Sequence, residues 1–468
     1  MISSPLPETW HQAIWRRFKG YPTGMLGLFT VFLFAAVGIY APLLASSNPI
    51  AILYDGTWYF PLFRYLFYGE FYTKNIDLFF NILMFTTPIA LLATLLQRKH
   101  PFCALCLAII AAVAQLIFFA FVLAFPLKSP AFNIKNTPHT LEQRSLSWPS
   151  ILQHLSTYAH LNLIIHDITS EKQDKAIRSE IGARADEWLP TLWQLKQDYQ
   201  KNSPLLQEQR LWLNEERKKI GFIAMPLLRP FHWEDDAAGS EQLNQRLPWW
   251  ELTRSNRKDF VAALCFGVRI SLVVGFLTAA LVLVLAIPIG AIAGYFGGMT
   301  DIVVCRFMEI WEAMPAFFML LFVVAIAQSK SIFLVIAIIG LFSWTGFARY
   351  LRGEMLKQRS LPYVEACHAL GLNHSRIIFS HLLPNAIPPL ISLIPFAIMG
   401  AISSEAGLSF LGLGEEQSCS WGILMDEGRN SFPSQSYLLW PAASLLTILL
   451  IAIALIGDAL RDAIDPQK

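Results

Sequence analysis

Residues 363–385 read YVEACHALGLNHSRIIFSHLLPN, a polar stretch set between two apolar runs. Tyr363 to Leu370 holds good helix formers and neither Gly nor Pro, which predicts a helix. Gly371 ends it, as a residue that must turn with φ > 0 does. Asn373 is placed to cap a second short helix, from His374 to about His381, which Pro384 closes. The stretch reads as helix, tight turn, helix and stop, exposed at a membrane surface. On this reading Glu365 lies near the end of the first helix, where the dipole favours cations, which suggests a cationic partner; the alternative is a merely solvated carboxylate. Arg376 and His381 lie on the second helix. The simpler reading, an ordinary amphipathic loop helix, does not account for the apolar spans on both sides.

Outward from this stretch the chain is 468 residues, 54% hydrophobic and only 15% charged. A soluble chain of this size needs more charge to cover its surface, so several membrane spans are expected. A net charge of +2 gives no nucleic-acid footprint. Six cysteines make no disulfide framework, and Cys103 and Cys106 sit in an apolar run that suits packing better than metal or redox chemistry. No cleavable signal-peptide pattern is present; the first apolar run, from Met25, is too long for one and reads as a retained span.

In chain order, residues 1–24 form a head whose Arg16, Arg17 and Lys19 precede the first span, 25–46, and place it in the cytoplasm. Residues 47–77 form an extracytoplasmic loop, with Trp58, Tyr59 and Phe60 at headgroup level. Residues 78–126 form a transmembrane hairpin joined by the basic turn Arg98-Lys99-His100. Residues 127–260 form an extracytoplasmic, mostly helical insertion carrying three apolar stripes, beginning with Ile151, Leu155 and Tyr158. Its histidines, His139, His154, His160 and His166, lack metal-ligand spacing. Residues 261–468 hold five further spans, the second of them beginning near Val303 and the fourth running from about Ala386 to Ser403, with a cytoplasmic loop at 351–385. Both termini are then cytoplasmic, with eight spans in all. Gly290 and Gly294, at i and i+4, predict close helix packing in lipid, and Gly297-Gly298 predict a tight turn ending at Asp301. Arg306 and Glu309, at i and i+3, are read as a structural pair.

Glu365, Ala366, Gly371 six residues after the Glu, and Leu383-Pro384 resemble, at full spacing, the cytoplasmic coupling loop of ABC importer permeases. His381 and Asn385 resemble the oligopeptide/dipeptide branch of these inner-membrane components, in its second-permease form. FGVRISLVVGFL from Phe266, GYFGGMTD ending at Asp301, and EAGLSFLGLG from Glu405 to Gly414 with Trp421-Gly422 resemble the same family. The resemblance covers roughly 220–468 and, weakly, 1–61. Two departures stand out. The 78–126 hairpin lies outside the usual six-span pattern, and the family's Gly-Thr-Asp-x-x-Gly-Arg-Asp is degraded here to the stretch from Thr253 to Asp259.

The resemblance implies an all-α polytopic membrane protein with a type I ABC importer permease fold, an extra transmembrane hairpin and an inserted helical extracytoplasmic region. It implies a permease subunit, not an enzyme, forming half of a peptide pathway across the bacterial cytoplasmic membrane. The implied partners are a second homologous permease, two ATPase subunits, an extracytoplasmic substrate-binding protein, the peptide and membrane lipids. Coupling to the ATPase falls to Glu365, Ala366, Gly371, Arg376, His381, Leu383 and Pro384. No catalytic, cofactor or metal residue is expected. The chain has no Gly-x-x-x-x-Gly-Lys-Ser/Thr run, so ATP and Mg belong to the partner ATPases. Nickel, another metal chelate or a peptide antibiotic are alternative cargoes for the same fold. A secondary transporter would need ionisable groups at mid-membrane, and a non-transporting scaffold would not need the coupling loop.

Overall fold

A computed structural model describes residues 10–45, 49–67, 75–96, 101–125, 218–227, 260–315, scattered positions between 318 and 326, 330–415, 418–430 and 439–464. The three stripes of 127–217, the four histidines there and the degraded 253–259 segment lie outside the described residues. The chain divides into two compact units, one of residues 1–41, 73–119 and 257–468, the other of residues 42–72 and 120–256.

The first unit is helical. It begins with α1 (Trp10–Lys19) and α2 (Pro22–Leu44). In the second unit, β1 (Ala51–Tyr54), β2 (Thr57–Tyr59) and a short helix, α3 (Pro61–Tyr65), follow. Then come α4 (Asn75–Leu96), α5 (Pro101–Ala124) and β3 (Ile220–Ala224). The remainder contains α6 (Phe260–Phe296), α7 (Gly298–Ala313), α8 (Ile332–Arg359), α9 (Pro362–Ala369), α10 (Leu383–Ile391), α11 (Ile394–Leu408), α12 (Trp421–Asn430) and α13 (Leu439–Ile464).

Among the described residues, five helical stretches are long and apolar enough to cross a bilayer: Pro22–Leu44, Phe260–Phe296, Ile332–Arg359, Ile394–Leu413 and Leu439–Ile464. The expected span beginning near Val303 is not one of them. Its helix α7 has 16 residues and carries Asp301, Arg306, Glu309 and Glu312. The expected span from Ala386 is two helices, α10 and α11, broken at Ser392 and Leu393. Helices α4 and α5, of 22 and 24 residues, lie where the hairpin is expected; neither is among these five, and the basic turn at 98–100 lies outside the described residues.

The core of the helical unit gathers Phe34, Phe266, Val274, Ile402, Trp421 and Leu449. Trp421 is buried with its indole N–H donating to the Leu264 carbonyl at 3.0 Å. Helix α6 runs 37 residues, about 55 Å at 1.5 Å per residue, and packs along α8. The two glycines in step make that approach: a Cβ on Gly290 would meet the Ala348 carbonyl oxygen at 2.5 Å, and one on Gly294 the Arg352 carbonyl oxygen at 2.7 Å. Gly297 and Gly298 turn the chain with φ of 65° and 52°.

Sequence reading missed two polar seams in apolar helices. Arg269 of α6 is fully buried. Its Nε donates to the Gly38 carbonyl at 2.6 Å, and its Nη1 donates to Asp77 Oδ1 at 3.2 Å and Asn81 Oδ1 at 3.1 Å. Its guanidinium lies over the rings of Phe80 and Phe266, at 5.3 and 4.9 Å. One side chain thus ties α2, α4 and α6 together. Buried Gln115 of α5 donates to the Phe79 carbonyl at 3.0 Å and accepts from the Thr86 hydroxyl at 2.7 Å, which stitches α5 to α4.

The second unit holds a three-stranded antiparallel sheet in the order β2-β1-β3. Its hairpin turns on Asp55 and Gly56, both with positive φ (47° and 74°), the two-residue Asp-Gly turn whose twist matches flanking strands. Ile52, fully buried, pairs with Tyr59 on one side and Ile223 on the other. Two details are absent from the sequence reading: Trp58 and Tyr59 lie on a strand, and within the insertion expected to be mostly helical the described residues 220–224 are strand, because β1 offers them a ladder.

Candidate functional site

The 363–385 stretch begins one residue earlier than expected, with Pro362 as the first residue of α9. Proline suits that position because its missing N–H would be unpaired there anyway. Glu365, the fourth residue of α9, stands in the first turn, where a carboxylate is favoured by the dipole. The supposed conflict with the dipole does not exist. Glu365 is exposed and has no ion-pair partner among the described residues.

The turn has the geometry the glycine calls for. Gly371 has φ of 70°, its N–H donates to the His368 carbonyl at 2.9 Å, and the Leu372 N–H donates to the Cys367 carbonyl at 3.2 Å. These two bonds make a Schellman cap. Asn373 is the N-cap residue by position, but its side chain makes no cap hydrogen bond; the expected side-chain cap is absent.

The second helix is not closed at Pro384. A turn at His374–Arg376 passes into a π-helical segment, Ile377–Leu382, and then directly into α10. Pro384 falls in the first turn of α10, just past a wide π turn that relieves the demand for its N–H, so the helix continues to Ile391. Asn385 donates from its side-chain amide to the His381 carbonyl at 2.8 Å.

Two faces result. Val364, Cys367, Ile377, Ile378 and Leu382 are buried against Ala291 and Tyr295 of α6 and Leu351 and Met355 of α8. Glu365, Ala366, Gly371, Arg376 and Pro384 are exposed, while His381 and Leu383 are half-buried. Leu370 and Phe379 join the outward face at 79% and 68% exposure, though sequence reading did not single them out. Leu370 had a signal in its place just before the glycine. Phe379 had none, because the α-to-π change decides which way it faces.

The platform beneath is held by charge and rings. The Tyr295 hydroxyl lies 2.6 Å from His374 Nδ1, and its ring stacks on His368, so both sides of the turn are gripped by one α6 residue. Arg352 grips the Asp301 carboxylate with two N–H donors, one at 2.6 Å to Oδ2. Arg359 donates to the Phe296 carbonyl at 3.2 Å. Arg349 pairs with Glu312 at 2.6 Å, and the expected Arg306–Glu309 pair forms at 2.5 Å on the exposed side.

The Arg352 guanidinium holds the Asp301 carboxyl below the usual carboxylate range. A lowered carboxylate pKa adds stability above the unfolded value, about 3.9, which is lost as pH falls through the folded value. Asp301→Asn is therefore expected to melt earlier than the unsubstituted protein at pH 7. The gap should begin to shrink below about pH 4. Thermal midpoints in detergent across pH 3 to 7 test this, and a gap that does not change with pH counts against it.

A second buried polar group sits in the EAGLSFLGLG stretch. Glu405 of α11 is buried and accepts from the hydroxyls of Ser409 at 2.6 Å and Ser420 at 2.7 Å. The Gly422 N–H donates to the Ser420 hydroxyl at 3.2 Å. A Cβ on Gly422 would meet the Ala406 carbonyl oxygen at 2.5 Å, so position 422 has room only for glycine. No group of three or more His, Cys, Asp or Glu that could hold a metal ion occurs among the described residues.

Bilayer-length helices around a charge-locked turn, carrying an exposed helix–turn–helix, define a polytopic membrane protein. The family described as binding-protein-dependent transport system inner membrane component matches residues 286–468, and the N-terminal transmembrane domain of oligopeptide transport permease C matches residues 9–61. The oligopeptide transport system permease protein OppC of Haemophilus influenzae is 37% identical over 253 residues, covering 53% of this chain and 81% of the relative. The peptidoglycan transport system permease protein YejE of Agrobacterium fabrum is 39% identical over 221 residues, 47% of this chain and 57% of the relative. The inner membrane ABC transporter permease protein YejE of Escherichia coli K12 is 34% identical, with 64% of its length covered. A chain of the MetNI methionine ABC transporter aligns at 19% identity and a TM-score of 0.35, covering 43% of this chain and 96% of that chain. The chain belongs to the family of binding-protein-dependent transport system inner membrane components, the permease subunits of ABC importers.

Proposed function

We propose that this chain forms half of a pathway for peptides across the bacterial cytoplasmic membrane. The relatives named for oligopeptide, dipeptide and glutathione transport support a peptide cargo. A second, homologous permease forms the other half. Two separate ATPase subunits supply the energy from ATP and Mg, and an extracytoplasmic binding protein delivers the peptide. Both termini are cytoplasmic, α4 and α5 cross as an added hairpin, and 127–255 lies outside. There it serves docking of the binding protein or of the partner permease.

The observation that carries this reading is the exposed face of α9 and the π segment, held on the joined ends of α6 and α8. Glu365, Ala366, Leu370, Arg376 and Phe379 present charge and apolar surface with no cover among the described residues. They meet a groove of the ATPase, Gly371 shapes the turn, and His381, Leu383 and Pro384 set the segment's exit. A push on this face passes directly to α6 and α8, since their side chains share one core. ATP binding then biases a two-state equilibrium of the helices.

Proteoliposomes containing this chain, its partner permease, the ATPases and the binding protein should take up labelled peptide only with ATP. Omitting this chain should stop uptake. Uptake that persists without it, or that runs on an ion gradient with no ATP, rejects the reading.

A further inference from the structure

The chain that leaves the coupling face does not continue as one helix. Pro388 and Pro389 lie inside α10, and Pro395 stands in the first turn of α11. A proline has no N–H, so the carbonyls of Pro384, Asn385 and Ile391 have no donor four residues on. Between the two helices the Leu393 N–H reaches only three residues back, to the Leu390 carbonyl at 3.0 Å. The Ser392 hydroxyl donates instead to the Pro389 carbonyl, at 2.7 Å. The Ala397 N–H then restarts the α ladder on the Leu393 carbonyl at 3.1 Å. Sharp helix bends arise at proline-loosened turns of this kind.

Each side of the break belongs to a different core. Ala386 and Leu390, with Leu393 half-buried beside them, pack with Ile377, Leu382 and Leu351 under the coupling face. Ile402 joins the core of Trp421 and Leu449, and Ala401 and Leu408 pack with Val335 and Ile338 of α8. Two glycines let neighbouring helices close on α11. A Cβ on Gly275 of α6 would meet Ile398 at 2.7 Å, and one on Gly457 of α13 would meet the Phe396 ring at 2.8 Å. Helix α6 serves both cores, with Leu283 and Ile287 in the first and Phe266 and Val274 in the second. Pro288 leaves its Val284 carbonyl without a helical donor as well.

We propose that Ser392 and Leu393 form a hinge: α10 swings with the coupling segment while α11 keeps its place against α6 and α13, and α6 gives way at Pro288. The hinge presupposes the transport reading and is the point at which the ATPase stroke bends the helices. Asn385, exposed on α10, lies seven residues, about 10 Å, from Ser392, so a swing of about 20° moves it by about 4 Å.

The test uses the assembled complex with its ATPases and binding protein, the native cysteines of this chain replaced by serine and pairs of new cysteines spin-labelled. Asn385→Cys is paired with Arg461→Cys on α13 and, separately, with Lys19→Cys on α1, so that two directions are read. Ser404→Cys with Trp440→Cys reports α11 against α13. A non-hydrolysable ATP analogue should shift at least one Asn385 distance by about 4 Å and the Ser404–Trp440 distance by less than about 1 Å. Pro388→Ala, Pro389→Ala and Pro395→Ala together return three N–H donors. That variant should lose most of the shift, and its peptide-stimulated ATP hydrolysis should fall about fivefold, the factor for one net hydrogen bond favouring the straight form. Ser392→Gly, which leaves the turn loose, should keep both. Unchanged Asn385 distances in a complex that takes up peptide with ATP overturn the hinge and leave the transport reading standing. Equal shifts at Asn385 and Ser404 overturn it too, since the two helices then move as one rod, and so does a proline variant with full shift and full stimulation. A complex that takes up no peptide with ATP rejects the transport reading, and the hinge with it.

Discussion

Asp77→Ala is expected to destabilise the helical unit by about 3–5 kcal/mol, because it strands the Arg269 guanidinium in an apolar interior. Arg269 has no exposed surface and Asp77 has only 6%. The pair spans two helices far apart in sequence, with Asn81 Oδ1 and the Gly38 carbonyl among the other acceptors of the guanidinium. Asp77→Asn keeps an acceptor for Nη1 and should cost less. Replacing both partners by apolar residues, Asp77→Leu with Arg269→Met, should recover much of the loss, since removing a buried pair together leaves no unpaired charge. Thermal unfolding of the purified full-length chain, with membrane yield beside it, measures this order. An Asp77→Ala protein as stable as the unsubstituted one would show that Arg269 finds compensation elsewhere. In the Asp77→Ala protein α4 should also detach from α6 before the remaining helices separate.

The second large effect concerns coupling. At φ of 70°, Gly371 occupies backbone space that costs an L residue roughly 1–2 kcal/mol, and more for a β-branched one. Nothing lies within 4 Å of where a Cβ would stand, so the penalty at this position is conformational and not steric. Gly371→Val should therefore distort the Schellman turn without disturbing the helices below. Peptide-stimulated ATP hydrolysis by the assembled complex should fall about tenfold or more, while the permease remains in the membrane. Gly371→Asn should retain most activity, because Asn tolerates this region. Valine and asparagine variants with equal, full stimulation would show that the turn does not transmit the ATPase stroke.

The features legible in the sequence were those written in local chemistry. Gly371 after a run of helix formers announces a left-handed residue, and Gly290 with Gly294 announces close helix packing; each depends on what one residue permits its own backbone. Asp55-Gly56 between Tyr54 and Thr57 carried an equally local hairpin signal that the reading passed over in favour of an aromatic belt. The first-turn place of Glu365 is equally local, since it is the third residue from Tyr363, and a place near the helix end does not follow from the sequence. The end at Pro384 was misread because a π turn cannot be seen in residue types.

What only the tertiary structure decided is pairing across distance. The Arg269 partners lie 231 and 192 residues away along the chain. The third strand of the sheet, Ile220–Ala224, joins one that ended at Tyr54. No spacing rule connects such segments, because the entropy of closing a loop changes little with its length and favours no particular partner. The choice is made by burial. A charge inside an apolar bundle, or a backbone row without a ladder, is tolerated only where complementary groups arrive, and where they arrive depends on how all the helices pack.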